Sequence, residues 1–237
     1  MIHKTLDLGK NNATLTTYIL DFSDEMADMV SRKAILILPG GGYQFCSDRE
    51  AEPIALAYNK SGFNAFILRY TCHEEGTFED SLRDAKMALK MIRKHAKDWH
   101  VNDNHIAVIG FSAGGHLAAH LSTNGDDRPN ACILGYPAIL KEKTHWPYPT
   151  PTVDSVRPPT FLFHTDNDDV CPVGHSLYYA NKCDQYDIPF ELHIFQDGPH
   201  GLSLGTPAVA NKRNGYVNDR FQAWFELSLN WLSHLFG

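Results

Sequence analysis

The chain lacks the features that mark several large protein classes. Its five cysteines, Cys46, Cys72, Cys132, Cys171 and Cys183, are odd in number, scattered, and form no CxxC pair. That spacing argues against a disulfide framework or a zinc site and for reduced, packed thiols. No apolar run approaches the roughly 20 residues that a membrane helix needs. The opening MIHKTLDLGK has no apolar stretch of the kind a signal peptide carries. No Lys/Arg cluster stands out in a chain of formal net charge −7, so nucleic acid and anionic membranes are not expected partners. Low-complexity tracts and internal repeats are also missing. A soluble cytoplasmic protein is the default expectation. Oligomeric state stays open, a homodimer included.

What is present is an ordinary globular composition, 43% hydrophobic over 237 residues, enough for one sizeable core. Apolar strand-like runs alternate with helix-like stretches. Strands are expected at AILILPG (34–40), AFILRY (65–70), HIAVIGFS (105–112), ACILGYPAIL (131–140), TFLFHTD (160–166) and PFELHIF (189–195). TLTTYIL (14–20) adds an antiparallel edge strand. Residues 47–62 read as a helix, with Ser47 and Glu50 at capping-box spacing and Gly62 as its stop. In 77–99, Leu82, Ala85, Ala88, Leu89, Ile92 and Ala96 recur on one helical face. Further helices are expected at 114–122, 174–187 and 220–236. This alternation predicts an α/β fold, a mostly parallel sheet with helices on both faces, in a single domain over 1–237. Residues 141–159, with five prolines, and 201–216, rich in turn formers, are expected to loop over one end of the sheet.

Gly110-Phe111-Ser112-Ala113-Gly114 matches G-x-S-x-G between a strand pattern and a helix pattern. In such a nucleophile elbow the serine sits on a sharp turn, where only small neighbours avoid clashes, and its hydroxyl projects above the sheet. The helix start also aims free N–H groups at the reaction centre. Pro39-Gly40-Gly41-Gly42-Tyr43 follows an earlier strand. A tetrahedral oxyanion needs two or three fixed N–H donors, and glycine lets the backbone approach it closely. Gly41, Gly42 and the Ala113 N–H are the expected donors. A phosphate loop is the rival, but neither G-x-G-x-x-G nor GK[ST] is present.

Thirteen histidines compete for the role of base. His3, His73, His95, His100, His145, His175 and His234 lie in polar, loop, helical or terminal stretches and are expected at the surface. His105, His164 and His193 fall at or in strands and are expected to be structural. His116 and His120 share a helix face at i, i+4, but HExxH requires glutamate where Leu117 stands, so no metal site is expected. His200 lies in a turn after the last strand, where it can swing over the end that carries Ser112. Three aspartates, Asp166, Asp168 and Asp169, crowd the end of the strand at 160–166. Asp166 comes while the chain is still leaving the strand, and Asp169 precedes Val170 at a turn. Only one acid is needed to orient a histidine, and neighbouring carboxylates raise one another's proton affinity.

Taken together, LPGGGYQFCSDREAEPIA, GFSAGGHLAA, PPTFLFHTDNDDVCP and DGPHGLSL resemble the α/β-hydrolase esterases, in particular the compact acetyl esterase and acetyl xylan esterase-like group. The resemblance runs from about Ala34 to the C-terminus. The family pattern H-[GT]-x-x-D-x-x-V-P, laid on His164 onward, selects Asp168 as the acid, with Cys171 in the valine position and Pro172 matching. The larger hormone-sensitive-lipase-like branch has His where this chain has Pro39, and its long N-terminal cap has no counterpart here. The resemblance therefore implies a minimal cap and a short acyl group such as acetyl. It implies a Ser112, His200 and Asp168 acyl-enzyme mechanism with no metal or organic cofactor, acting on a small ester, an acetylated saccharide among the candidates. Tyr43, Phe45, Trp146, Tyr148 and Leu202 are expected to line the substrate pocket. A serine peptidase-like hydrolase and a non-catalytic ligand-binding relative are the alternative readings.

Overall fold

A computed structural model describes the chain apart from residues 10, 26–29, 73–75, 124–126, 142–147 and 155–156. Its elements are β1 (Ile2–Asp7), β2 (Thr14–Ile19), β3 (Arg32–Leu38), α1 (Glu52–Lys60), β4 (Asn64–Arg69), α2 (Phe78–Lys94), β5 (Val101–Phe111), α3 (Ala113–Leu121), β6 (Ala131–Gly135), β7 (Thr160–Thr165), α4 (Gly174–Gln185), β8 (Phe190–Phe195), α5 (Pro207–Ala210) and α6 (Ala223–Phe236). The strands form one sheet in the order β1-β2-β4-β3-β5-β6-β7-β8. β4, β3, β5, β6, β7 and β8 run parallel, and β1 and β2 add an antiparallel margin.

Near-continuous apolar strands form because both faces of the sheet are covered. Alternate residues split between two cores. Leu36, Leu38, Phe66, Leu68, Val108, Leu134 and Leu162 pack with Leu89 of α2, Leu117 of α3 and Tyr179 of α4. Ile35, Ile37, Ile67, Ile109, Ile133, Phe161 and Phe163 pack with Ile54 and Tyr58 of α1 and Trp224 and Trp231 of α6. The expected α/β architecture is the observed one.

Four expectations need correction. TLTTYIL is antiparallel but not the edge, because β1 lies outside it, pairing Ile2 with Ile19 through Asp7 with Thr14. β1 is exposed along nearly its whole length, so no apolar alternation announces it. Ser47 and Glu50 form no capping box. α1 starts at Glu52, the Ser47 side chain caps nothing, and Glu50 is buried. The capping box belongs to α2, where Thr77 and Asp80 exchange bonds. Residues 201–216 contain the short α5 as well as turns. Finally, His175 is fully buried rather than superficial, and its Nδ1 accepts the Leu140 N–H at 2.9 Å.

Candidate active site

The carboxyl ends of β5, β7 and β8 meet at one edge of the sheet. β5 ends at Phe111 and α3 begins at Ala113, leaving Ser112 alone on the turn with φ 52° and ψ −116°. A left-handed φ at a non-glycine costs about 1–3 kcal/mol, which the surroundings must offset. Ser112 N–H donates to Gly135 O at 3.0 Å, and Ser112 O accepts from His116 N–H (3.0 Å) and Ala138 N–H (3.1 Å). The start of α3 presses on β3 so closely that a Cβ on Gly114 would sit 2.0 Å from Leu38 O. Only glycine fits there.

The structure brings Ser112, His200 and Asp168 together. His200 Nδ1 lies 2.7 Å from Asp168 Oδ2, and His200 Nε2 lies 2.8 Å from Ser112 Oγ. A carboxylate facing Nδ1 fixes the proton there, so Nε2 is free to accept from the serine hydroxyl. Asp168 is buried at 4% exposure. Burial opposes its charge, but the His164 and His200 imidazoles beside it and the Cys171 N–H outweigh it. They hold the carboxyl well below the usual range. Oδ1 accepts the N–H groups of Val170 (3.0 Å) and Cys171 (2.8 Å). Behind it, buried His164 donates from Nε2 to Cys171 O at 2.7 Å, with Asp168 Oδ2 3.5 Å away.

The neighbouring acidic residues have different surroundings. Asp166 Oδ1 accepts the Asp197 N–H (3.0 Å), and Asn167 Oδ1 accepts the Gly198 N–H (2.8 Å). Thr165 Oγ1 donates to Gly198 O at 2.8 Å. These bonds fasten the turn after β7 to the turn that carries His200. Asp169 faces the cavity instead.

That cavity, about 490 Å³, is lined by Ser112, His200, Gly41, Gly42, Phe45, Ser47, Arg49, Glu50, Asp169, Val170, Pro199, Gly201, Arg213 and Tyr216. Gly41 and Gly42 form the turn after β3, at φ 130° and 64°. A Cβ on Gly41 would lie 2.0 Å from Phe45 O. Their N–H groups, like that of buried Ala113 at the start of α3, make no hydrogen bond among the described residues.

Of the expected pocket residues, Phe45 lines the cavity and is 62% exposed. Tyr43 does not line it. At φ 60° its side chain turns into the core, the ring packs against Tyr70 and Phe78, and its hydroxyl donates to His116 Nδ1 at 2.7 Å. Leu202 is buried in the cluster with Phe111 and Phe221, so it too leaves the cavity wall. Tyr148 packs against Tyr43 with ring centres 4.6 Å apart and planes tilted by 54°, away from the cavity lining. Trp146 lies outside the described residues. His116 and His120 both donate from Nε2 to Pro149 O, at 2.7 and 3.0 Å, tying down the loop beside Tyr148.

Sequence reasoning missed Arg49, Glu50, Arg213 and Tyr216. The Tyr216 ring lies under both guanidinium groups, at 5.0 Å from Arg49 and 5.3 Å from Arg213. Its hydroxyl donates to His200 O at 3.0 Å. Arg49 donates to Gly201 O at 2.7 Å and Val209 O at 2.5 Å. No local motif marks these residues: Arg49 meets Tyr216, Gly201 and Val209 from far away in the chain, and the nearby pair Arg213 and Tyr216 matches no catalytic pattern.

With this geometry in view, two family models match the chain. BD-FAE matches residues 20–131, and the prolyl oligopeptidase family matches residues 139–231. An alpha/beta hydrolase enzyme from a Medee basin deep-sea metagenome library has the same architecture at TM-score 0.96. It is 48% identical, with 99% of this chain and 98% of that one covered. The chain belongs to the α/β-hydrolase family. Relatives within it include the acetyl ester-xyloside bifunctional hydrolase of Caldicellulosiruptor lactoaceticus, 33% identical at TM-score 0.80 over 94% of this chain and 88% of that one. The acetylxylan esterase of Xylanibacter ruminicola is 30% identical over 229 residues, 81% of this chain and 47% of the relative. The chain spans between a third and a half of the length of the curated relatives it matches first. None of its described helices is long and apolar enough to cross a membrane.

Proposed function

We propose that the chain is a carboxylic ester hydrolase that removes short acyl groups, acetyl above all, from small saccharide esters such as acetylated xylo-oligosaccharides, as a single catalytic domain over 1–237. The observation that carries this reading is the continuous relay from Ser112 Oγ through His200 to Asp168, with links of 2.8 and 2.7 Å, opening on a cavity. His200 takes the serine proton as Oγ attacks the ester carbonyl, and Asp168 orients the ring and stabilises its charged form. The N–H groups of Gly41, Gly42 and Ala113 receive the oxyanion. His200 then protonates the leaving alcohol and, in the second step, activates the water that releases the acid. The cavity sets apolar Phe45, Val170, Pro199 and the Tyr216 ring beside polar Ser47, Arg49, Glu50, Asp169 and Arg213, a mixed wall that suits a small acyl group on a polar alcohol. The acetyl-directed relatives support the saccharide ester.

The prolyl oligopeptidase match over 139–231 favours a second reading, a peptidase with the same relay. A fluorophosphonate probe should label the wild type and not Ser112→Ala. Turnover of p-nitrophenyl esters should peak at acetyl to butyryl, then extend to acetylated xylo-oligosaccharides. A maximum at octanoyl or longer contradicts the short-acyl reading. Cleavage of an aminoacyl-p-nitroanilide without ester turnover favours the peptidase.

A further inference from the structure

Glu50 is a buried carboxylate on the wall of the active-site cavity that the relay above does not use. We propose that Glu50 is a positioning residue that sets the oxyanion turn and the His200 loop relative to one another. The inference rests on the esterase reading and extends it.

The carboxylate accepts one hydrogen bond from each loop's support. Oε2 accepts the Gly40 N–H at 2.8 Å, immediately before the proposed donors Gly41 and Gly42. Oε1 accepts the Tyr136 hydroxyl at 2.6 Å. Burial, and then the Glu50 charge, push the Tyr136 phenol well above its ordinary range, so it keeps the proton it donates. The Tyr136 oxygen in turn accepts the Ser203 N–H at 2.9 Å, three residues after His200. The Tyr136 ring meets the His200 ring edge to face at 5.2 Å. Ser203 Oγ closes the circuit by donating to Arg49 O at 2.5 Å, beside Glu50 itself.

The chemistry explains why a carboxylate stands here. A buried charge is costly unless donors surround it, so it is poor evidence for added stability. Its two oxygens can, however, hold two separate loops at once. The three-glycine turn needs such an anchor, because glycine backbones have little conformational preference of their own. The contact is close: a Cβ on Gly40 would sit 2.7 Å from Glu50 Oε2 and 3.0 Å from Ser112 Cβ. A shift of Glu50 therefore moves the oxyanion donors against the nucleophile.

The test is steady-state kinetics of the full chain on p-nitrophenyl acetate, per folded molecule as measured by thermal melting. Glu50→Ala removes both bonds and should lower kcat by about 100-fold, the scale of losing an oxyanion donor, with KM changed less than about threefold. Glu50→Gln keeps the Gly40 bond through its amide oxygen and reverses the other, its NH2 donating to the Tyr136 oxygen while the phenol proton loses its acceptor, and should return kcat part of the way, to within about tenfold of wild type. A trifluoromethyl ketone, whose serine adduct carries the oxyanion, should lose affinity in step with kcat/KM. Tyr136→Phe removes both the bond to Glu50 Oε1 and the bond from Ser203 N–H while leaving the Gly40 anchor in place, and should lower kcat by about tenfold, which keeps the test open if Glu50→Ala does not fold. Wild-type kcat in Glu50→Ala or Tyr136→Phe overturns the inference, as does unchanged ketone affinity or a Glu50→Gln enzyme no better than the alanine variant. Turnover that survives Ser112→Ala sinks the esterase reading and this inference with it. Ser112-dependent turnover indifferent to Glu50 sinks the inference alone.

Discussion

Replacing Asp168 by Asn tests the proposed relay most sharply, because the structure dictates how the amide must sit. Asp168 Oδ1 accepts two backbone N–H groups, from Val170 and Cys171, at 3.0 and 2.8 Å. The amide oxygen of Asn must occupy that place, since an NH2 group there would face two donors. The NH2 is then forced into the Oδ2 position, 2.7 Å from His200 Nδ1. Nδ1 has to accept from it, so the neutral ring carries its proton on Nε2, facing Ser112 Oγ. In that tautomer His200 cannot take the serine proton. The expected loss in kcat is about 10⁴-fold, with residual turnover from substrate binding and the oxyanion donors. The two backbone bonds survive, so the melting temperature should change little compared with kcat. Asp166→Asn keeps an oxygen for the Asp197 N–H, and Asp169→Asn alters only the cavity wall, so each should stay within about tenfold of wild type. Activity of Asp168→Asn within tenfold of wild type would refute the reasoning.

Two further outcomes concern stability. Burial holds His116 and His120 at about 3 and about 4. An unfolded histidine titrates near 6.5, so below that the unfolded chain binds protons that the folded one refuses. Stability present above about pH 6.5 should therefore drain as the pH falls towards 4, by about 4 kcal/mol at pH 5 for the pair. Urea unfolding from pH 7 to 5 measures it, and a His116→Gln/His120→Gln double variant with an unchanged pH slope contradicts the assignment. Gly114→Ala places a Cβ against Leu38 O where neither backbone can yield without parting α3 from β3. It should cost more than about 3 kcal/mol in urea unfolding, and a loss below about 1 kcal/mol would show the contact to be soft.

Much of the architecture was legible because its causes are local. Buried strands between helices leave apolar runs, and the elbow at Ser112 leaves small residues around a serine. Features without a local cause were misread or missed. β1 is exposed and shows no pattern. Tyr43 looked like a pocket residue until its positive φ sent the ring into the core. Glu50 looked like a helix cap because Ser47 stands three residues before it, yet its partners are Gly40 and Tyr136.

The sequence alone determined the order of strands and helices from β2 onward, the short α5 apart, and the short list of reactive side chains, since hydrophobic period and turn chemistry are properties of neighbours in the chain. Three aspartates within four positions differ little by such criteria, and family spacing had to choose among them. Only the tertiary structure decided which carboxylate meets His200. The turn after β7 spends Asp166 and Asn167 on the backbone of the facing turn, points Asp169 at the cavity, and leaves Asp168 under the imidazole. That choice depends on the direction of each side chain across two loops about thirty residues apart, which packing sets and local propensity does not.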